Sequence, residues 1–138
     1  MIKSLKTDVE GVLKGIANIG LVEDEGRTES LPFPDPLWNV RYENGTVAIM
    51  SGSDDQPADQ VFSIRGYMPC AFGMKTSAKW DGLLDLIIDA FKAQKRFAGI
   101  ALIQELATKE NNYVMYGAAK GAILCHFVHI NISIRYID

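Results

Sequence analysis

Both histidines and one of the two cysteines of the 138-residue chain fall within five positions, in the stretch CHFVHINISIRYID at residues 125 to 138. Cys125, His126 and His129 are the residue types that a thiol enzyme or a zinc site would use. Strand geometry separates them. Even positions read Leu124, His126, Val128, Ile130, Ile132, Ile134 and Tyr136, and odd positions read Cys125, Phe127, His129, Asn131, Ser133 and Arg135. This period of two predicts a strand half in the core and half outside it. The two histidines then point to opposite faces. Cys125 and His129 share a face, but ~13 Å of backbone lies between them at roughly 3.3 Å per residue, against the ~2.0–2.3 Å at which one zinc ion holds its ligands.

The other reactive groups read as structural. Cys70 follows Met68-Pro69 in an apolar context, which fits a packed small hydrophobe better than an activated nucleophile. Asp81, Asp85 and Asp89 recur every four residues and could gather a cation. They precede Lys92, Lys95 and Arg96, however, which is the order a helix dipole favours on a solvated face. No G-x-S-x-G, H-E-x-x-H or C-x-x-C is present, and AAKGA lacks the order of a phosphate-binding loop. No catalytic, cofactor-binding or metal-ligating residue is assigned, and a non-enzyme without a cofactor is expected. Two alternatives stay open. One is a thiol enzyme using Cys70 or Cys125. The other is a small-ligand-binding α+β domain with a pocket between an apolar hairpin face and a helix.

Length and composition fit one domain able to bury roughly two-thirds of its unfolded surface. Hydrophobic residues make up 48% and charged residues 22%, an ordinary globular balance. No apolar run nears the ~20 residues needed to cross a bilayer, and the start of the chain lacks a signal peptide's apolar centre, so no membrane partner is expected. The cysteines are then reduced thiols of a cytoplasm, and the sequons at Asn44 and Asn131 are chance matches. A net charge of −3 argues against a nucleic-acid binder. That charge is unevenly spread. Residues 21–60 carry nine acidic and two basic groups, net −7, and the remainder carries eight and twelve, net +4.

The elements follow from periodicity. Ile2, Leu5, Val9, Val12, Leu13 and Ile16 form one helical stripe, predicting a helix over 2–19. An acidic, Pro-rich connector spans 21–37, where Pro32, Pro34 and Pro36 forbid a helix. Asn44-Gly45 is the preferred pair for a type I′ turn, predicting a hairpin over 38–50 that pairs Tyr42 with Val47 and Val40 with Ile49. A polar loop covers 51–60 and a strand 61–68. Trp80, Leu83, Leu84, Ile87, Ile88 and Phe91 define a helix over 77–96 with Ser77 as its N-cap. Strands are expected at 100–106, where a continued helix is the alternative, and at 112–117 and 123–137. The fold class is α+β: a mostly antiparallel sheet of about five to six strands with two amphipathic helices on one face. The order is α-β-β-β-α-β-β-β or α-β-β-β-α-β-β.

That order resembles the tail-terminator and tail-completion proteins of long-tailed bacteriophages. A leading helix, a hairpin and a further strand precede a second helix, placed like KWDGLLDLIIDAFK. A long strand then closes the chain, as HINISIRYID does. The likeness covers nearly the whole chain but rests on layout rather than on a signature motif, so no site residue is carried across. It implies a homo-oligomeric, hexameric ring that caps the tail tube, ends its polymerisation and joins it to the head-side connector. Neighbouring neck or completion proteins fit the same layout. The implied location is the virion tail or neck, assembled in the host cytoplasm. On this reading the acidic stretches holding Glu23, Asp24, Glu25, Asp54, Asp55 and Asp59 face the channel, where like-charge repulsion keeps passing DNA from sticking.

Overall fold

The computed structural model describes residues 2–23, 36–45, 58–70, 76–94, 101–116 and 123–136. The elements are α1 (Ile2–Lys14), β1 (Leu21–Glu23), β2 (Leu37–Gly45), β3 (Ala58–Pro69), α2 (Thr76–Ala93), β4 (Ala101–Tyr116) and β5 (Ile123–Tyr136). They form the expected α+β architecture in the order α-β-β-β-α-β-β. One five-stranded sheet runs β1-β2-β3-β5-β4, with every pairing antiparallel except that of β1 with β2.

Both helices cover one face of the sheet. Leu5, Val9 and Leu13 of α1 and Trp80, Leu83, Leu84, Ile87 and Phe91 of α2 are buried against it. The sheet side of this core follows the strand period: Trp38 and Val40, then Phe62, Ile64 and Met68, then Val128, Ile130, Ile132 and Ile134. Register sets these in rows across β2, β3 and β5, as Trp38–Gly66–Val128, Val40–Ile64–Ile130 and Tyr42–Phe62–Ile132. The first row contains a large side chain beside no side chain. A Cβ built on Gly66 would lie 2.1 Å from Cζ3 of Trp38, so the indole occupies the space over the glycine. Trp38 also stacks on Trp80, with centroids 5.4 Å apart, and its Nε1 donates to the Ile19 carbonyl at 2.7 Å.

Several expected elements differ from those observed. The first helix stops at Lys14 rather than near 19, because the chain tightens into i→i+3 turns: Ile16 N–H donates to Leu13 O and Ile19 N–H to Ile16 O. Asn18 takes a left-handed φ of 62°, which its short polar side chain tolerates, and Gly20 takes 89°. Gly20 then passes so close to Pro36 that a Cβ would meet the Pro36 carbonyl at 2.2 Å. Leu21 N–H donates to that same carbonyl at 2.9 Å. This contact starts the parallel β1–β2 ladder inside what reads as a connector, with 24–35 outside the described residues.

The tight hairpin at Asn44-Gly45 is corrected. Both residues belong to β2, opposite Val61 and Gln60, after a bulge between Tyr42 and Asn44. Val40 pairs with Ile64 and Tyr42 with Phe62. A local turn preference is outweighed by β3, whose twelve residues pair with β2 along its length from Leu37 to Gly45. The expected second arm, 46–50, lies outside the described residues, as do 51–57 of the polar loop, while 58–60 open β3. The second helix spans Thr76–Ala93, shifted from 77–96. The two strands expected at 100–106 and 112–117 are replaced by one, Ala101–Tyr116, because the fourteen residues of β5 pair along its length. Its polar middle is taken up by irregularities between Ile103 and Glu105 and between Thr108 and Glu110.

Gly66→Ala is expected to lose stability at or beyond the upper end of the ~1–3 kcal/mol typical of overpacking. Gly82→Ala should gain ~0.5–1 kcal/mol, since its Cβ meets nothing within 4 Å on the exposed side of α2. Chemical denaturation of the two variants beside the parent checks both.

Candidate functional site

Strand alternation carries His126 to the helix-covered face and Cys125 and His129 to the other. His126 is only 4% exposed. Its Nε2 shares a 2.8 Å hydrogen bond with Thr76 Oγ1 at the start of α2, and its ring lies between Trp80, at 5.8 Å and nearly parallel, and Tyr113, at 5.0 Å. Trp80 Nε1 donates to Asn111 Oδ1 at 3.3 Å. These groups surround a cleft of about 230 Å³ whose rim includes Ser77, Asp81 and Asn112. Burial lowers the His126 pKa below its ordinary value, and the Asp81 carboxylate pulls the other way.

Both thiols are shifted away from the thiolate form. Cys125 is fully buried on the outer face, and burial, reinforced by nearby Cys70, pushes its pKa up to about 11. Burial also raises Cys70, against a backbone hydrogen bond from His126. Cys70 N–H donates to Leu124 O, so Cys70 extends the β3–β5 ladder beyond the Pro69–Cys125 pair. A nucleophilic thiol needs the opposite shift. The volume a ligand pocket would take between β2 and α2 is filled by Trp38, Trp80 and Phe91. Among the described residues no group of three or more His, Cys, Asp or Glu could hold a metal ion, and Asp81, Asp85 and Asp89 are all exposed on α2. No described helix is long and apolar enough to cross a membrane.

The outer face carries no helix among the described residues. At one end Leu37 and Cys125 are buried together with Tyr67, Tyr116 and Ile123 around them. Its middle is polar. One row runs Asn39–Arg65–His129–Glu110 across four strands, and the next holds Arg41, Ser63 and Asn131. Ser63 donates to Glu43 at 2.6 Å, and Arg65 lies 4.0 Å from the same carboxylate. Four buried atoms here have no hydrogen-bond partner among the described residues: Asn39 Oδ1, Arg65 Nε, His129 Nε2 and Asn131 Oδ1. Each such atom costs roughly 1–3 kcal/mol relative to a satisfied one.

Of the acidic residues expected to face a channel, Asp59 lies on β3 and holds Arg135 of β5, 3.0 Å from Nε and 3.4 Å from Nη2. Glu23 is half-buried at the end of β1 and has an interaction of its own. Asp24, Glu25, Asp54 and Asp55 lie outside the described residues. Sequence reasoning placed the two histidines on opposite faces but missed Thr76, Asn111 and Tyr113 around His126. It also missed the Asn39–Arg65–His129 row. Both sets are assembled by register and helix placement, and the chain separates their members by up to 90 residues.

No family model matches the chain, and no curated protein matches it in sequence. Its fold recurs among solved structures. One such chain is similar over 99% of this chain and 93% of its own length, with a TM-score of 0.56 and 12% identity, which establishes likeness of fold alone.

Because the native state disfavours the charged imidazole, the unfolded chain binds the proton more tightly. The contribution of His126 is complete above the ordinary value of 6.5 and shrinks as pH falls below it, until the native ring itself protonates. Denaturation midpoints should therefore drop on acidification through this window, and His126→Gln should flatten that part of the profile.

Proposed function

We propose that this chain is a structural subunit of a long-tailed phage virion, acting as a tail terminator: a closed ring, built from copies of the chain, that caps the tail tube and meets the head-side connector. The observation that carries the reading is the outer sheet face, whose two adjacent polar rows hold four buried atoms without partners among the described residues. A neighbouring subunit that rearranges and satisfies these groups would remove that cost. The element order α-β-β-β-α-β-β among the described residues supports the reading at the level of layout, without the tight hairpin.

The face is a better contact than the edge. β4 ends the sheet, but its two irregularities and the exposed Glu105, Lys109 and Glu110 discourage strand addition along its middle. A contact between different patches on successive copies closes into a ring when the rotation between them allows. In such a ring the acidic stretches around Asp24 and Asp54 line the passage and keep DNA from sticking.

Light scattering after gel filtration, with negative-stain images, is expected to find rings or protein seated on tail tubes. A strictly monomeric protein that neither binds nor caps tubes would overturn the reading. Replacing Asp54, Asp55 and Asp59 together by Asn should leave assembly intact and impair DNA ejection. Arg135→Ala, which removes only the pairing of Asp59, should eject normally.

A further inference from the structure

The cleft at the start of α2 has a composition that packing alone does not require. Its floor is His126 and Trp80, its open wall is Tyr113, 58% exposed, and its rim bears the exposed carboxylate of Asp81. The field of Asp81 reaches the floor, since it acts on His126. Asn111 and Asn112 add amide groups, and no Lys or Arg lines the cleft among the described residues. The positive end of α2 would favour an anion. The full charge of Asp81, with no Lys or Arg among the described lining residues to help an anion, outweighs the half charge of the helix end.

An aromatic face, a carboxylate and amide acceptors form a receptor for a planar cation that stacks and donates hydrogen bonds in its plane. The mouth opens beside a small apolar patch. Met115, 62% exposed, lies opposite Leu124, 48% exposed, and both share the face of Tyr113. A cleft of about 230 Å³ beside exposed apolar side chains suits one anchoring side chain of a macromolecule better than a free drug-sized ligand. We propose that this cleft receives the guanidinium of an arginine side chain presented by a partner protein.

The proposal is independent of the ring reading and is tested by titrating the labelled protein with N-acetyl-arginine amide, following the indole N–H resonance of Trp80 by NMR. A saturable shift is expected, with binding about tenfold weaker in Asp81→Asn and in Tyr113→Ala. Both substituted side chains are exposed, so these variants should fold. N-acetyl-citrulline amide, which has the same shape without the charge, should also bind about tenfold more weakly. No shift, or equal binding of the citrulline compound, overturns the proposal. Binding of free L-arginine without binding of the blocked compound would mark a metabolite site, and would equally overturn it.

Discussion

The sheet is organised around the indole of Trp38 lying in the space that Gly66 leaves open. Three contacts meet at that ring: the bare backbone of β3 beneath it, Trp80 of α2 above it, and the Ile19 carbonyl that accepts from its Nε1. They tie the turn after α1, two central strands and the second helix to one side chain. Because the fit requires a residue without Cβ on β3, the Trp38–Gly66 pair is specific where other apolar pairs are interchangeable. A slip of the β2–β3 register by one residue would put Arg65 or Tyr67 under the ring and turn each apolar row to the wrong face.

The chemistry of the molecule descends from this register. With Trp38, Ile64 and Ile130 facing the helices, His126 must face them too, and its ring lands between Trp80 and Tyr113 beside the first residue of α2. By the same alternation Cys125 and His129 must face away. The adjacency of cysteine and histidine letters therefore never becomes adjacency of reactive groups. The two faces also differ in how complete they are. The helix-covered face carries the apolar core, whereas the outer one holds four buried polar atoms without partners among the described residues.

Features with a repeating local cause were legible in the sequence. The apolar stripe of α1, the face of α2 from Trp80 to Phe91 and the alternation of β5 each recur over several turns or residue pairs. Features decided by a competitor elsewhere in the chain were not. Asn44-Gly45 carries a strong turn preference, yet β3 offers a longer apolar partner and draws both residues into a strand. Leu21–Glu23 has no strand signature of its own and becomes a strand only because Gly20 lets the backbone approach Pro36. The polar run from Lys109 to Asn112 reads as a break, but bulges absorb it. The cleft around His126 was illegible for a related reason: its walls come from three elements whose mutual placement no local pattern encodes.

The position of β5 has a consequence for how the molecule comes into being. It is the last of the five strands in sequence but lies between β3 and β4 in space. While a ribosome is still making it, β3 has one vacant edge and β4 has no described neighbour at all. The two parts of the sheet can join only when the uncharged, isoleucine-rich run His129–Ile134 arrives to fill the gap. Such a segment pairs readily with other extended chains until its own neighbours take it. Closure of the sheet by its last strand thus makes the native state depend on contacts distant in sequence, a topology that folds late and slowly. The newly made chain therefore passes through an interval in which self-association competes with folding.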